Sequence, residues 1–186
     1  HQLLVSQFNM VKKFDKLIRQ EIRNAREGIH AGITIKLNNL QERAMIERLY
    51  EASNAGVKIQ LLVRGICCLA PGLAGQSENI TVTRIVDRYL EHARVFIFQN
   101  GGDPLYFLGS ADWMNRNLHS RIEVCFPVEV PALKEEIETI IALQLKDNTK
   151  AKHLDAELAN IPIKNESTLL QAQQAVYTYV ESLANN

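Results

Sequence analysis

The sequence predicts a mixed α/β domain, a sheet layered with helices, that runs on into a helical tail. Three stretches carry that reading. Gly32-Ile33-Thr34-Ile35-Lys36-Leu37 is short and β-branched, Ala44, Ile46, Leu49 and Ala52 recur at helical spacing, and Val57 to Val63 is again apolar. Strand, helix and strand in succession form a βαβ unit, which implies a parallel pair with a right-handed crossover. Next, Asn100-Gly101-Gly102-Asp103-Pro104 is a dense turn signal between the apolar runs 95–98 and 105–108, and reads as a hairpin. After Pro131 the apolar spacing becomes helical.

The elements follow in order. Phe14, Leu17, Ile18, Ile22 and Ala25 give an amphipathic helix near 10–27, with Gly28 as its C-cap. Asn38 and Asn39 are placed to cap the crossover helix, which ends at Ala55-Gly56. A loop with Pro71, Gly72 and Gly75 spans 69–78; strands are predicted over 80–86 and 122–126. Leu133, Ile137, Ile140, Ile141 and Leu145 mark a helix, residues 151–158 read as a shorter one, Ile161-Pro162-Ile163 as a linker, and 168–183 as the last helix. The domain division is therefore 1–30 as an N-terminal helix, 31–130 as the α/β domain, and 131–186 as a helical extension.

Composition narrows the function. The chain has 186 residues with 21 Lys+Arg against 21 Asp+Glu, 46% hydrophobic and 23% charged. Those fractions exclude a disordered or collagen-like chain, and a zero net charge argues against a general nucleic-acid binder. A small, locally basic anion site remains open. Cys67 and Cys68 are adjacent and Cys125 is distant, with no CxxC, so the thiols are read as reduced, structural and cytoplasmic, and as ligands to no metal. No apolar run approaches the roughly 20 residues of a membrane span, and no signal peptide is recognisable. The first residue is His1, which suggests a chain processed or cut from something longer.

The candidate chemistry centres on Glu91-His92-Ala93-Arg94. At strand spacing His92 and Arg94 share a face; Arg is a planar phosphate donor and imidazole exchanges a proton near neutral pH. A solvated pair on a surface strand fits that spacing equally. Arg88 stands four residues before His92, one helical turn away. Arg64-Gly65 ends an apolar strand at the carboxyl edge where α/β sheets place ligands, and Gly65 would let backbone approach a ligand. Gly109-Ser110-Ala111-Asp112-Trp113 reads as a tight loop, either at a site or as an ordinary turn. Arg121 and Glu123 place opposite charges on one face of an apolar strand, as an ion pair or as functional groups. His30, His119 and His153 read as solvated or locally bonded. Walker loop, GxGxxG and HExxH are all absent.

Four blocks of the chain resemble the C-terminal domain of bacterial polyphosphate kinases. They are Ile35-Lys36-Leu37-Asn38-Asn39-Leu40, Leu61-Leu62-Val63-Arg64-Gly65-Ile66-Cys67-Cys68-Leu69, Ile85-Val86-Asp87-Arg88-Tyr89-Leu90-Glu91-His92, and Ser110-Ala111-Asp112-Trp113-Met114-Asn115-Arg116-Asn117. Arg121-Ile122-Glu123-Val124 continues the match, which covers nearly the whole chain. The resemblance implies reversible transfer of the terminal phosphate of ATP to inorganic polyphosphate through a phosphohistidine. It also implies a phospholipase D-like half domain, one of two that each give a histidine to a shared site. By that resemblance His92 is the second-half histidine, with an acid/base or phosphate-stabilising role, and Arg64 contacts the nucleotide phosphates. Arg88, Arg94 and Arg121 join it in binding phosphate, and Glu123 would hold the His92 imidazole.

The family's phosphorylated histidine lies in the preceding domain, in an Ile-His-Ala-Lys type motif that this sequence lacks. The family's nucleotide-base and metal-linked positions are upstream as well. The chain is therefore read as a piece of the enzyme, inactive alone, with ATP as substrate and Mg2+ held mainly by the upstream domain. Its implied partners are ATP, ADP, polyphosphate, that preceding domain and further copies of itself, in the cytoplasm or peripheral to the inner membrane. Two other readings stay open: a phospholipase D-type phosphodiesterase, against which Arg94 replaces the usual Lys of HxK, and a non-catalytic ATP- or polyphosphate-binding module.

Overall fold

The computed structural model describes residues 3–163 and 168–184. A short strand β1 (Leu4–Val5) leads into helix α1 (Met10–Arg26), whose apolar stripe Phe14, Leu17, Ile18 and Ile22 is buried. Strand β2 (Gly32–Leu37) and strand β3 (Lys58–Val63) pair in parallel, Ile35 opposite Leu61, across the crossover helix α2 (Arg43–Asn54). Strand β4 (Ile80–Arg84) adds in parallel to β3. Strands β5 (Arg94–Phe98) and β6 (Leu105–Gly109) form the hairpin, and β7 (Val124–Val128) follows after a one-and-a-half-turn helix α3 (Asn115–His119). Helix α4 (Pro131–Leu145) starts on a proline, whose missing N–H costs nothing at that position.

Among the described residues one mixed sheet runs β1-β7-β6-β5-β2-β3-β4-β8-β9, where β8 is Lys152–Leu154 and β9 is Asn160–Pro162. These last two strands correct the helix read over 151–158 and the linker read at 161–163. The unpaired outer edge of β4 captures the segment, with Thr83 opposite His153, and edge pairing outweighs a weak helical pattern. Asp155 then turns the chain by accepting the N–H groups of Glu157 and Ala159, with Leu158 at φ 63°. Pro162 is tolerated because β9 is the outermost strand. The final helix α5 spans Ala172–Ala184, a shorter run than 168–183 at its start.

Two more readings are corrected. Glu42, not Asn38 or Asn39, caps α2, accepting the Met45 N–H at 2.7 Å. β7 begins at Val124 rather than Ile122, because Ser6 takes both backbone groups of Glu123: its Oγ accepts the Glu123 N–H and its own N–H donates to the Glu123 carbonyl.

The sheet carries two cores. Odd residues of β2 and β3 (Ile33, Ile35, Leu37, Ile59, Leu61, Val63) face α1 and α2 with Phe96, Phe98, Phe107 and Trp113. The opposite face packs Leu62, Val95, Ile97, Tyr106 and Val128 against Ile137, Ile141 and Leu145 of α4 and Ala172 of α5.

Candidate functional site

Strand direction decides where chemistry can gather. β2, β3, β4 and β6 run one way, while β5 and β7 run the other. Therefore the carboxyl ends of the first four and the amino ends of the last two lie along a single edge of the sheet. Arg64 follows β3, Arg88 and His92 lie between β4 and β5, Arg94 opens β5, Ser110 and Asp112 follow β6, and Arg121 and Glu123 precede β7. The sequence candidates thus come from four separate stretches to one edge.

A hydrogen-bonded chain knits that edge. The buried Asp112 accepts Arg94 Nε and Nη2 at 3.1 and 3.3 Å, the Asn38 N–H at 2.9 Å and Asn39 Nδ2 at 3.0 Å. Burial pushes the Asp112 carboxyl up, but the Arg94 guanidinium and the two asparagines hold it, on balance, below its ordinary value. Asn38 Oδ1 in turn accepts Arg64 Nε and Nη2 at 3.1 and 2.9 Å, and Arg64 Nε also reaches the Glu91 carbonyl at 3.0 Å. Arg64 is therefore aimed by three contacts that use Nε and one Nη2 hydrogen, leaving both Nη1 hydrogens for a ligand oxygen. Gly65 is bare for a different reason from the expected ligand approach. A Cβ there would stand 2.6 Å from Asn39 Oδ1 and 2.9 Å from the Asn38 carbonyl, so the glycine lets the β3 end close against the loop after β2.

His92 is exposed, and its imidazole makes no hydrogen bond or ion pair with any described residue. It does not sit on a strand beside Arg94, since β5 starts at Arg94 and 91–93 is irregular. Instead Arg94 Nη1 donates to the His92 carbonyl at 2.9 Å, fixing its backbone, while the rest of the guanidinium is committed to Asp112 with side-chain exposures of 10% and 6%. Nor does a helical turn join Arg88 to His92. Arg88 is exposed and lies 5.5 Å above the Tyr89 ring.

Glu123 does not hold His92 in this structure. Its carboxylate accepts Ser110 Oγ at 2.5 Å and Asn117 Nδ2 at 2.7 Å. Arg121 forms no ion pair with it; the Arg121 carbonyl accepts Ser6 Oγ at 2.6 Å, and its side chain is exposed and unpaired among the described residues. His30, His119 and His153 lie 3.2–3.4 Å from Gln99, Glu42 and Thr83 respectively, away from this cluster. Among the described residues no group of three His, Cys, Asp or Glu is placed to hold a metal ion.

From sequence, Asn38 and Asn39 receive only a capping role, Asp112 figures only within the tight loop 109–113, and Asn117 and the buried Lys36 receive no role of their own. Lys36 carries a signal too, a charge inside an otherwise apolar central strand.

With this geometry in place the comparisons can be read. Residues 3–174 match the family model described as "Polyphosphate kinase C-terminal domain 2". The chain belongs to the polyphosphate kinase family. It is 49% identical over 183 residues to the polyphosphate kinase of Salmonella typhimurium and 48% to that of Escherichia coli K12, covering 97% of this chain and 26% of each relative. The chain thus spans about a quarter of the curated polyphosphate kinases it matches. The crystal structure of the Porphyromonas gingivalis polyphosphate kinase superposes with a TM-score of 0.95 at 47% identity, over 98% of this chain and 28% of that one. Nuc from Salmonella typhimurium, a phospholipase D family member, matches with a TM-score of 0.58 at 12% identity, over 83% of this chain and 97% of Nuc. NucT from Helicobacter pylori gives 0.57 at 16%, over 77% and 94%. Those two show the fold alone: a polyphosphate kinase domain with the architecture of a phospholipase D half. No helix among the described residues is long and apolar enough to cross a membrane.

Proposed function

We propose that this domain forms the second half of a phosphoryl-transfer site in an enzyme that moves the terminal phosphate of ATP to and from inorganic polyphosphate. The observation that carries the reading is the gathering of Arg64, Arg88, His92 and Arg121 along one sheet edge in a chain of this family. The phosphohistidine belongs, in this proposal, to a preceding domain, with Mg2+ and the nucleotide base held mainly there. The enzyme works in the cytoplasm or against the inner membrane, as an oligomer.

Each residue then has a role drawn from its surroundings. His92 projects freely, so it is available to give a proton to the leaving phosphate oxygen or to carry positive charge beside the transferring group. A positioned acid of that kind contributes about 10²–10⁴-fold, or roughly 3–5 kcal/mol. Arg64 is held rigid by Asn38 and the Glu91 carbonyl and offers its Nη1 hydrogens to phosphoryl oxygens, while Arg88 and Arg121 add exposed charge. Charge spreads over those oxygens as the loose transition state forms, which fixed donors stabilise. Arg94 acts through Asp112 and the His92 carbonyl, and Glu123 through Ser110 and Asn117, both as positioning groups.

The test is His92→Ala in the full-length enzyme, with a 10²-fold or greater loss of polyphosphate synthesis expected. Synthesis at the wild-type rate would overturn the assignment. For the isolated chain, calorimetry is expected to register ATP or polyphosphate binding without phosphate transfer. Acid-labile phosphate on this chain, or hydrolysis of a phosphodiester without nucleotide, would replace the proposal with a different one.

A further inference from the structure

Helix α5 lies against the loop that carries Arg88 and His92, its Gln173, Gln174 and Tyr177 lining one cavity with Arg88 and Tyr89, and it grips that loop. Residues 85–93 have no regular structure, and Arg88, Tyr89, Leu90 and His92 are all exposed, so little in the loop itself fixes its course. Gln173 supplies what a neighbouring strand would. Its Oε1 accepts the Tyr89 N–H at 2.9 Å and its Nε2 donates to the Tyr89 carbonyl at 2.8 Å, so one amide side chain takes both backbone groups of one loop residue. The same Nε2 lies 3.3 Å from Glu91 Oε1.

Glu91, next to His92, is held from the other side by the sheet. Lys36 Nζ donates to Glu91 Oε2 at 2.5 Å and to Gln144 Oε1 at 2.8 Å, and Gln144 Nε2 returns to Glu91 Oε2 at 3.0 Å. Lys36 is 8% exposed and Glu91 21%, so this pair is largely shielded from water. The loop is thus pinned between β2, α4 and α5 one residue short of the histidine.

The helix itself is anchored independently. Asp147 Oδ2 accepts the Ala172 N–H at 2.7 Å and Asn148 Oδ1 accepts the Leu170 N–H at 2.7 Å. Removing the Gln173 amide would therefore release Tyr89, at the middle of the loop, without freeing α5, while Gln171 Nε2 still donates to Asp87 Oδ2 at 2.6 Å and Arg94 still holds the His92 carbonyl.

We propose that Gln173 is a positioning residue for His92, so that the C-terminal helix sets the rate of phosphoryl transfer without touching phosphate. This rests on the reading of His92 given above. A reacting group displaced by about 1 Å can cost on the order of 10²-fold in rate.

The experiment compares Gln173→Met, which keeps side-chain length and loses the hydrogen bonds to Tyr89, with Ser182→Ala, exposed further along the same helix, and with His92→Ala, all in the full-length kinase. Gln173→Met is expected to lower kcat 10- to 100-fold, with KM for ATP within threefold and Tm within about 2 °C of wild type. Hydrogen exchange in peptide 85–93 should rise while α5 peptides stay protected; Ser182→Ala should behave as wild type. If His92→Ala is inactive but Gln173→Met turns over normally, the positioning role falls and the reading of His92 stands. If His92→Ala keeps wild-type turnover, that reading falls and the positioning role with it. A Gln173→Met loss that appears only in KM, or that follows a fall in Tm, also overturns the proposal.

Discussion

The face of the sheet under α1 and α2 and the face under α4 and α5 are built from different materials. On the first, Phe14 meets Phe96 at a centroid distance of 4.5 Å, Trp113 at 5.8 Å and Phe107 at 6.0 Å, and all four rings are buried. On the second, the core is smaller and, Tyr106 apart, aliphatic, and beside it lies the ion pair of Lys36 with Glu91. The same strand feeds both: Ile33, Ile35 and Leu37 of β2 point to the aromatic side, while Lys36 points to the other. An apolar interior is roughly additive in buried area and holds the domain together. A largely buried polar pair contributes less stability and can fix the direction of a loop. The larger, aromatic core therefore lies on one side of the sheet, and the ion pair that holds loop 85–93 on the other.

The sharpest way to break that division is to cut one hole on each side. Phe14→Ala is expected to cost about 4 kcal/mol in urea unfolding, because the cavity is walled by the rings of Phe96, Phe98, Phe107 and Trp113 and cannot collapse. Ile141→Ala, on the α4 side, should cost about 2–3 kcal/mol, since its neighbours Ile137 and Leu145 are only partly buried. Against a total of 5–15 kcal/mol the first variant is marginal and the second is not. Equal losses would mean that the two faces are energetically alike.

Gly109 ties the aromatic core to the edge that carries the site. A Cβ at this position would lie 2.0 Å from Cys125 Sγ and 2.8 Å from the Val124 carbonyl, and that backbone oxygen cannot retreat without breaking the β6–β7 pairing. Gly109→Ala should cost about 2 kcal/mol and move Ser110, whose hydroxyl holds Glu123. Adding Cys125→Ala removes the sulfur clash and leaves the carbonyl one, so partial recovery of Tm is the expected result. Full recovery would show that only the sulfur mattered.

The aromatic side was the legible one. The apolar period of α1, the βαβ unit and the hairpin turn each follow from local pattern, because those elements bury one face in an apolar core. β8 and β9 were not legible: residues 151–162 pair because β4 leaves an open edge, a fact about a strand some 70 positions earlier. The site was half legible. His92, Arg64, Arg121 and Glu123 stood out as charge or imidazole at strand ends. Their partners did not, since nothing local tells Asp112 that it will meet Arg94, Asn38 and Asn39, or Glu123 that it will meet Ser110 and Asn117 instead of His92.

The smallest expected effect has opposite signs on the two sides. Buried Glu21 of α1 accepts the N–H groups of Gly32 and Asn100, but burial dominates and raises its carboxyl above the ordinary 4.5. Asp147, between α4 and α5, is pushed up by burial yet accepts the N–H groups of Ala172, Lys150, Thr149 and Ala151, and the balance lies below the ordinary 3.8. The native state therefore binds more protons than the unfolded chain at Glu21 and fewer at Asp147. By linkage, Glu21 favours folding more as pH falls from above its raised value toward 4.5. The Asp147 contribution is complete above about pH 5, and it shrinks as pH drops past 3.8 and through the lowered folded value. Urea melts of wild type, Glu21→Ala and Asp147→Ala at pH 7, 5 and 3 separate the two. The stability gap between wild type and Asp147→Ala should hold from pH 7 to 5 and narrow by pH 3, while the gap to Glu21→Ala should widen from pH 7 to 5. A gap to Asp147→Ala that widens on acidification would mean that its backbone hydrogen bonds do not outweigh its burial.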